Sequence, residues 1–275
     1  YRACQQMYQC YLGLSLGANE NSVIGDFGCG VGGPTRCIAQ FTGAKIKAVN
    51  ISRYHLGLME KYNKEANIDH RIELIRSDYH ATPIESNSLD GVYMCESLGH
   101  SPDYKMLCRE VFRVLKPGAK FTGFNWDLTE KFDEDNPEHR RIRLLIISGL
   151  AMPQMVKMSV LTEALKEAGF EIITQRDHGD FAVKIGARPW WYLFEKRSKA
   201  RQVLFQRYMY PCIFTSMSTA LLMSIWLMEK LGLVSPGTAA AYRILMIPLK
   251  TGIKLGAEEK IFTPMHYWLA RKPLT

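Results

Sequence analysis

Short apolar runs alternate along the chain with longer amphipathic stretches, and the hydrophobic period switches between that of a strand and that of a helix. Residues 23–28, led by Val23-Ile24, read as a first strand, and residues 45–50 repeat the pattern as a second. Arg71–Ser77 alternates apolar and polar positions as a third strand, and Leu89–Glu96 forms a fourth. Helical stretches lie between them. Thr35–Phe41 follows the first strand. Ser52 is placed to cap a helix reaching about Asn67, because a serine oxygen accepts from the free N–H groups of a first turn. Tyr104–Leu115 predicts a helix closed by Lys116-Pro117-Gly118, and Ala119–Trp126 a fifth strand. Met158–Gly169 is a helix ending on glycine, Phe170–Arg176 a strand, and Lys260–Lys272 contains a last strand. This alternation predicts an α/β fold, a mainly parallel, doubly wound sheet with right-handed crossovers. Ligands of such sheets bind beyond the carboxyl ends of the strands, where Asp26, Asn50, Asp78 and Glu96 all fall.

The first strand runs into Asp26-Phe27-Gly28-Cys29-Gly30-Val31-Gly32-Gly33-Pro34. Strand, glycine turn and helix start form a cradle for a nucleotide cofactor, since the helix N-terminus offers unpaired N–H groups and a positive dipole end. A dinucleotide site wants an acidic residue at the end of the second strand to hold a ribose hydroxyl. That strand ends in Asn50, and no carboxylate follows until Glu60. The acid instead precedes the glycines, at Asp26, where it is placed to meet a cofactor ammonium. Asn50 and Ser52 are placed for ribose hydroxyls, and Asp78 with Tyr79 for hydrogen bonding and stacking of an adenine.

Composition narrows the setting. There are 35 Lys and Arg against 27 Asp and Glu, a net charge of +8. Nothing resembles a nucleic-acid footprint of basic residues with interleaved aromatics, so the excess points to an anionic membrane surface. The 7 cysteines stand apart, without a C-x-x-C pair, which suits reduced thiols in the cytoplasm and neither a disulfide framework nor a metal site. The chain opens at Tyr1 without a secretory leader.

Longer segments carry a family likeness. Val49–Tyr54, Asp127–Arg140, Glu163–Phe170, Pro189-Trp190-Trp191-Tyr192 and Ile261–Pro273 together resemble the sterol C-methyltransferases, over about residues 10 to 273. The Asn136-Pro137-Glu138-His139 segment and the ending Phe262-Thr263-Pro264-Met265 with Ala270-Arg271-Lys272-Pro273 are the most diagnostic. The resemblance implies a class I, Rossmann-like methyltransferase with a seven-stranded sheet and a mostly helical C-terminal insertion before the last strand. It implies S-adenosyl-L-methionine as donor, a sterol acceptor and no metal. The domains follow as residues 1–180 for the cofactor and 181–275 for the sterol-methyltransferase module, with about 260–272 returning to the sheet. Two departures stand out. Side-chain (carbon 24) enzymes of the family carry Glu-Ala-Thr-Cys-His-Ala-Pro after the fourth strand, where this chain has Glu96-Ser97-Leu98-Gly99-His100-Ser101-Pro102. Their N-terminal Tyr-Glu-x-Gly-Trp-Gly segment has no counterpart here. Methylation of nuclear carbon 4 therefore stands beside carbon 24. A different acceptor (a quinone, phenol or phosphobase) and a catalytically idle sterol-binding relative are further readings.

Methyl transfer to carbon needs an electron-rich alkene or enol, a positioned base and little water. Glu96 and His100, just past strand four, are the acid–base candidates, and Glu96 is also placed to anchor the cofactor. Tyr79, Trp190, Trp191 and Tyr192 are candidates for contact with the acceptor. The uncharged run Tyr208–Met228 has the length of a membrane span, but Pro211 interrupts it and Thr215, Ser216, Ser218, Thr219 and Ser224 dilute it. With Lys196, Arg197, Lys199, Arg201 and Arg207 before it, residues 196–228 suit a sterol tunnel or shallow peripheral contact with the endoplasmic reticulum membrane. The pattern is compatible with a homo-oligomer.

Overall fold

The computed structural model describes residues 2–186 and 223–274. Its element order is α1 (Arg2–Leu16), β1 (Val23–Phe27), α2 (Gly33–Thr42), β2 (Lys45–Asn50), α3 (Arg53–Glu65), β3 (Ile72–Arg76), β4 (Leu89–Cys95), α4 (Tyr104–Val114), β5 (Leu115–Leu128), α5 (Pro137–Leu150), α6 (Met158–Glu167), β6 (Glu171–Asp177), α7 (His178–Lys184), α8 (Thr238–Glu259) and β7 (Phe262–Arg271). Seven strands form one sheet in the order β3-β2-β1-β4-β5-β7-β6. The pairs β2–β3, β1–β2, β1–β4 and β4–β5 are parallel, and β6–β7 is antiparallel. Chain order reverses between β1 and β4, so the switch point lies where the glycine loop leaves β1.

By contacts the chain divides into two compact units, one of residues 1–127, 156–178 and 264–275, the other of 128–155 and 179–263. The first holds the sheet. Side chains alternate across each strand, which separates two cores. Phe27, Val49, Val92, Met94, Phe121 and Trp268 pack on one face with Leu107 and Val111 of α4 and Leu161 and Leu165 of α6. Ile24, Ile46, Ala48, Tyr93, Phe124 and Tyr267 pack on the other with Leu12 of α1, Ile38 of α2 and Met59 of α3.

In the second unit α5 packs along α8. Gly252 makes that approach close, since a Cβ there would stand 2.8 Å from Ile146 and 2.9 Å from Leu145. Asn136 caps α5 by accepting from the N–H groups of Glu138 and His139, and Pro137 occupies the first turn. The contact division is thus discontinuous, and it gathers residues 128–155 with the later segment.

The turn expected at Lys116-Pro117-Gly118 is instead a bulge inside β5. Register with β4 jumps from Leu89↔Leu115 to Gly91↔Lys120. Gly118 sits at φ 79° and donates its N–H to the Lys272 carbonyl at 2.9 Å, which explains why a turn signal is absorbed into a continuing strand. Among the described residues no helix is long and apolar enough to cross a membrane.

Candidate active site

A cavity of about 540 Å³ opens at the carboxyl ends of β1, β2, β3 and β4. Gly28, Gly30, Asn50, Ser52, Asp78, Tyr79, Glu96 and His100 all line it, so eight residues from four separate loops meet in one place. Asp26 does not line it. Trp190, Trp191 and Tyr192 lie outside the described residues, as do residues 196–222.

The glycine loop shapes one wall. Gly28 has φ 90°, and a Cβ there would fall 2.4 Å from the Ser97 Cβ, so only glycine lets the β1 and β4 loops touch. Ser97 fastens the contact by donating its hydroxyl to the Phe27 carbonyl at 2.6 Å. Gly30 has φ 56° and no atom within 4 Å of its would-be Cβ, so the backbone faces open space.

Asp26 is buried beneath this loop. Its Oδ2 accepts from Thr35 Oγ1 at 2.6 Å and from the Tyr93 hydroxyl at 2.8 Å. Burial pushes its carboxyl up to about 6, against the two hydrogen bonds, which pull it down. The carboxylate braces β1, β4 and the first turn of α2 from behind the cradle.

Asn50 and Ser52 shape the next wall. Asn50 Oδ1 accepts from Ser52 N at 2.9 Å, and Ser52 Oγ accepts from His55 N at 3.3 Å as the cap of α3. Both side chains therefore organise their own loop at the edge of the cavity.

Asp78 is exposed, and its Oδ1 accepts from both the backbone N–H and the ring of His80, at 2.9 and 2.7 Å. These bonds hold its carboxyl below the usual range, with the backbone N–H the largest influence. Tyr79 is half-buried, its hydroxyl 3.5 Å from the Ser97 carbonyl, and burial beside Asp78 lifts its phenol to about 12.

Glu96 faces the cavity from just past β4. Its backbone sits at φ 58°, unusual for a side-chain-bearing residue, and its N–H donates to the Phe124 carbonyl at 2.8 Å. Glu96 is exposed to the cavity, yet the surrounding protein partly desolvates the carboxyl and lifts it above the ordinary range, while hydrogen bonds from Trp126 and Tyr8 oppose the lift. Tyr8 reaches it from α1, with its hydroxyl 3.4 Å from Glu96 Oε1 and its ring stacked on Phe124 at 4.0 Å. His100 is exposed at the end of the short 3-10 turn Leu98–His100. That turn is anchored where Gly99 N donates to Asn125 Oδ1 at 3.0 Å.

Sequence reasoning missed Tyr8, His80 and Ser97. His80 follows directly on Asp78-Tyr79, so its position in a site loop was available as a signal. Tyr8 carried none, because it lies 88 residues from Glu96 and arrives only through the packing of α1.

These residues fit an adenosine-containing sulfonium with an amino-acid tail. Open space at Gly30 admits a ligand against bare backbone, and the walls supply an amide, a hydroxyl, carboxylates and an aromatic ring. Among the described residues no group of three or more His, Cys, Asp or Glu is placed to hold a metal. Fold and site together define a class I S-adenosylmethionine-dependent methyltransferase.

Comparison with known proteins agrees. A methyltransferase domain model matches residues 25–122, and a sterol methyltransferase C-terminal model matches residues 213–274. The sterol 24-C-methyltransferase of Saccharomyces cerevisiae is 34% identical over 271 residues, covering 97% of this chain and 68% of that protein. That of Candida albicans is 33% identical over 277 residues, covering 100% and 72%. Geranyl diphosphate C-methyltransferase from Streptomyces coelicolor A3(2), solved with S-adenosyl-L-homocysteine, superposes with a TM-score of 0.65 at 15% identity, over 98% of this chain and 77% of that one. The last likeness is one of fold. This chain belongs to the sterol C-methyltransferase family, and its cofactor is S-adenosyl-L-methionine.

Proposed function

We propose that this enzyme methylates carbon 24 of a sterol whose side chain carries a double bond there. The supporting observation is similarity at about one residue in three along nearly the whole chain to proteins named for that reaction. The desolvated Glu96 carboxyl beside the cavity suits it chemically.

Bound S-adenosyl-L-methionine supplies an electrophilic methyl group. Gly28 and Gly30 would give it backbone to lie against, Asn50 and Ser52 would hold its ribose, and Asp78 and Tyr79 its adenine. As the alkene π pair bonds the methyl carbon, the methyl–sulfur bond would break with its electron pair staying on sulfur, S-adenosyl-L-homocysteine would leave, and positive charge would appear on the neighbouring sterol carbon. A proton must then leave the sterol to restore neutrality. Glu96 is the group to take it, because a partly desolvated carboxylate is a stronger base than one in water. His100 stands four positions further on, on the same cavity wall, to carry the proton outward.

The acceptor is a membrane lipid, and residues 196–228 are the segment through which the enzyme would meet a bilayer face. Met223, Trp226 and Leu227 at its end are exposed. Sedimentation with anionic vesicles tests this, and equal recovery with and without vesicles would refute it.

The test of the reaction uses labelled S-adenosyl-L-methionine with two sterols. One has a side-chain double bond between carbons 24 and 25. The other has a saturated side chain and an unmethylated carbon 4, offered as alcohol and as 3-ketone. Product from the first alone is expected. Product from the second would place the methyl at carbon 4, and product from neither, with cofactor bound, would point to another acceptor.

A further inference from the structure

The cavity has two walls of different origin, and a single imidazole joins them. Asp78, Tyr79 and His80 follow β3, whereas Glu96 to Pro102 follow β4. His80 lies between. One ring nitrogen, Nδ1, is 2.7 Å from Asp78 Oδ1, and the other, Nε2, is 2.8 Å from Ser101 Oγ. The imidazole is 9% exposed and Ser101 is fully buried.

Donor accounting gives the direction of these bonds for the neutral ring. A carboxylate only accepts, so Nδ1 carries the proton and donates to Asp78. In the neutral ring Nε2 then accepts, and the Ser101 hydroxyl is its donor. Ser101 Oγ in turn accepts the Asp103 N–H at 3.2 Å, at the start of α4. The run from Asp103 through Ser101 and His80 to Asp78 is consistent at every step.

Full burial keeps Ser101 from acting as a nucleophile, so the arrangement is not a hydrolytic triad. Its effect is mechanical. The turn bearing His100 is held at Gly99 by Asn125 and at Ser97 by Phe27, and the His80 bond holds its far end. Asp78 and Tyr79 on one side, and Glu96 and His100 on the other, are thereby held at a fixed separation.

We propose that His80 is a positioning residue of the methyl-donor site, which sets the adenosine-facing loop after β3 against the Glu96–His100 loop after β4 through its bond to Ser101. The proposal rests on this cavity being the cofactor site.

The test is a double-mutant cycle read by calorimetric binding of S-adenosyl-L-homocysteine to full-length protein. His80→Ala and Ser101→Ala are each expected to weaken binding by about tenfold, and the double variant no more than the worse single one, since one bond is removed twice. His80→Gln, whose amide oxygen reaches toward Ser101, is expected to recover most of the loss. In turnover the KM for S-adenosyl-L-methionine should rise while the KM for sterol stays put, a split that general destabilisation would not produce. Should His80→Ala fail to fold, Ser101→Ala and His80→Gln carry the same comparison. Affinity of the folded alanine variants within about twofold of the parent, or strictly additive losses, would overturn the proposal alone. Absence of binding by the unaltered protein would overturn the cofactor site, and the proposal with it.

Discussion

Asp26 and Glu96 leave neighbouring strands of one sheet, and burial lifts both carboxyls above the ordinary range. Asp26 is swallowed by the protein and spends its oxygen on Thr35 and Tyr93. Glu96 turns into the cavity, held from behind by Tyr8 and Trp126. The loop after β1 uses its acid to build a cradle, and the loop after β4 turns its acid into the cavity. Identical chemistry at two strand ends thus divides into a buried brace and an acid open to the cavity, according to which way the side chain leaves the backbone.

The sharpest way to break this contrast is Glu96→Gln. It keeps the shape and removes the base, so kcat should fall by about 10²–10⁴-fold. A product assay under cofactor saturation measures it, and a loss under about tenfold would remove Glu96 from the chemistry. In the parent enzyme, the acid limb of kcat/KM should lie above the ordinary glutamate range, with activity lost as pH falls and the base is protonated.

Asp26→Asn probes the other side. The folded protein holds the Asp26 carboxyl near 6 against an ordinary value of 3.8, so it binds more protons than the unfolded chain between those values. Asp26 therefore favours folding below that window and loses the advantage as pH rises through about 6, to the extent of roughly 3 kcal/mol. The stability of the parent relative to Asp26→Asn should decline by about that amount between pH 4 and 7, measured by denaturant unfolding. A flat difference would refute the assignment.

Gly28→Ala should cost about 2 kcal/mol of stability, because it forces a side chain onto φ 90° and into Ser97. An unchanged melting temperature would show that the loops part easily. Tyr8→Phe is the mildest change. Losing one partly exposed hydrogen bond, about 1 kcal/mol at most, should slow turnover a few-fold and move the acid limb to higher pH.

Much of the sheet was legible in local pattern. The strands β1 to β4 and the cap at Ser52 follow from apolar runs and a serine in the right place. The eight cavity residues were legible because a doubly wound sheet sends its loops to one edge, so strand ends could be listed without knowing their contacts. What local pattern hides is anything set by packing at long range. Asp26 reads as a ligand contact from its neighbours, yet Thr35 and Tyr93 draw it inward. Tyr8 carries no motif signal, although Gly17 at φ 74° marks the end of its helix, and it matters only once folded against Phe124. Pro117-Gly118 signals a turn, and only the partner strand and Lys272 reveal a bulge.

The division between buried brace and cavity acid comes down most directly to one calorimetric series, in which S-adenosyl-L-homocysteine is titrated into the parent, Glu96→Gln and Asp26→Asn under the same conditions. Glu96→Gln is expected to bind within about threefold of the parent, and Asp26→Asn at least about tenfold more weakly, because the glycine cradle that Asp26 braces through Thr35 and Tyr93 loosens. The reverse order, or equal losses in both, would contradict the account.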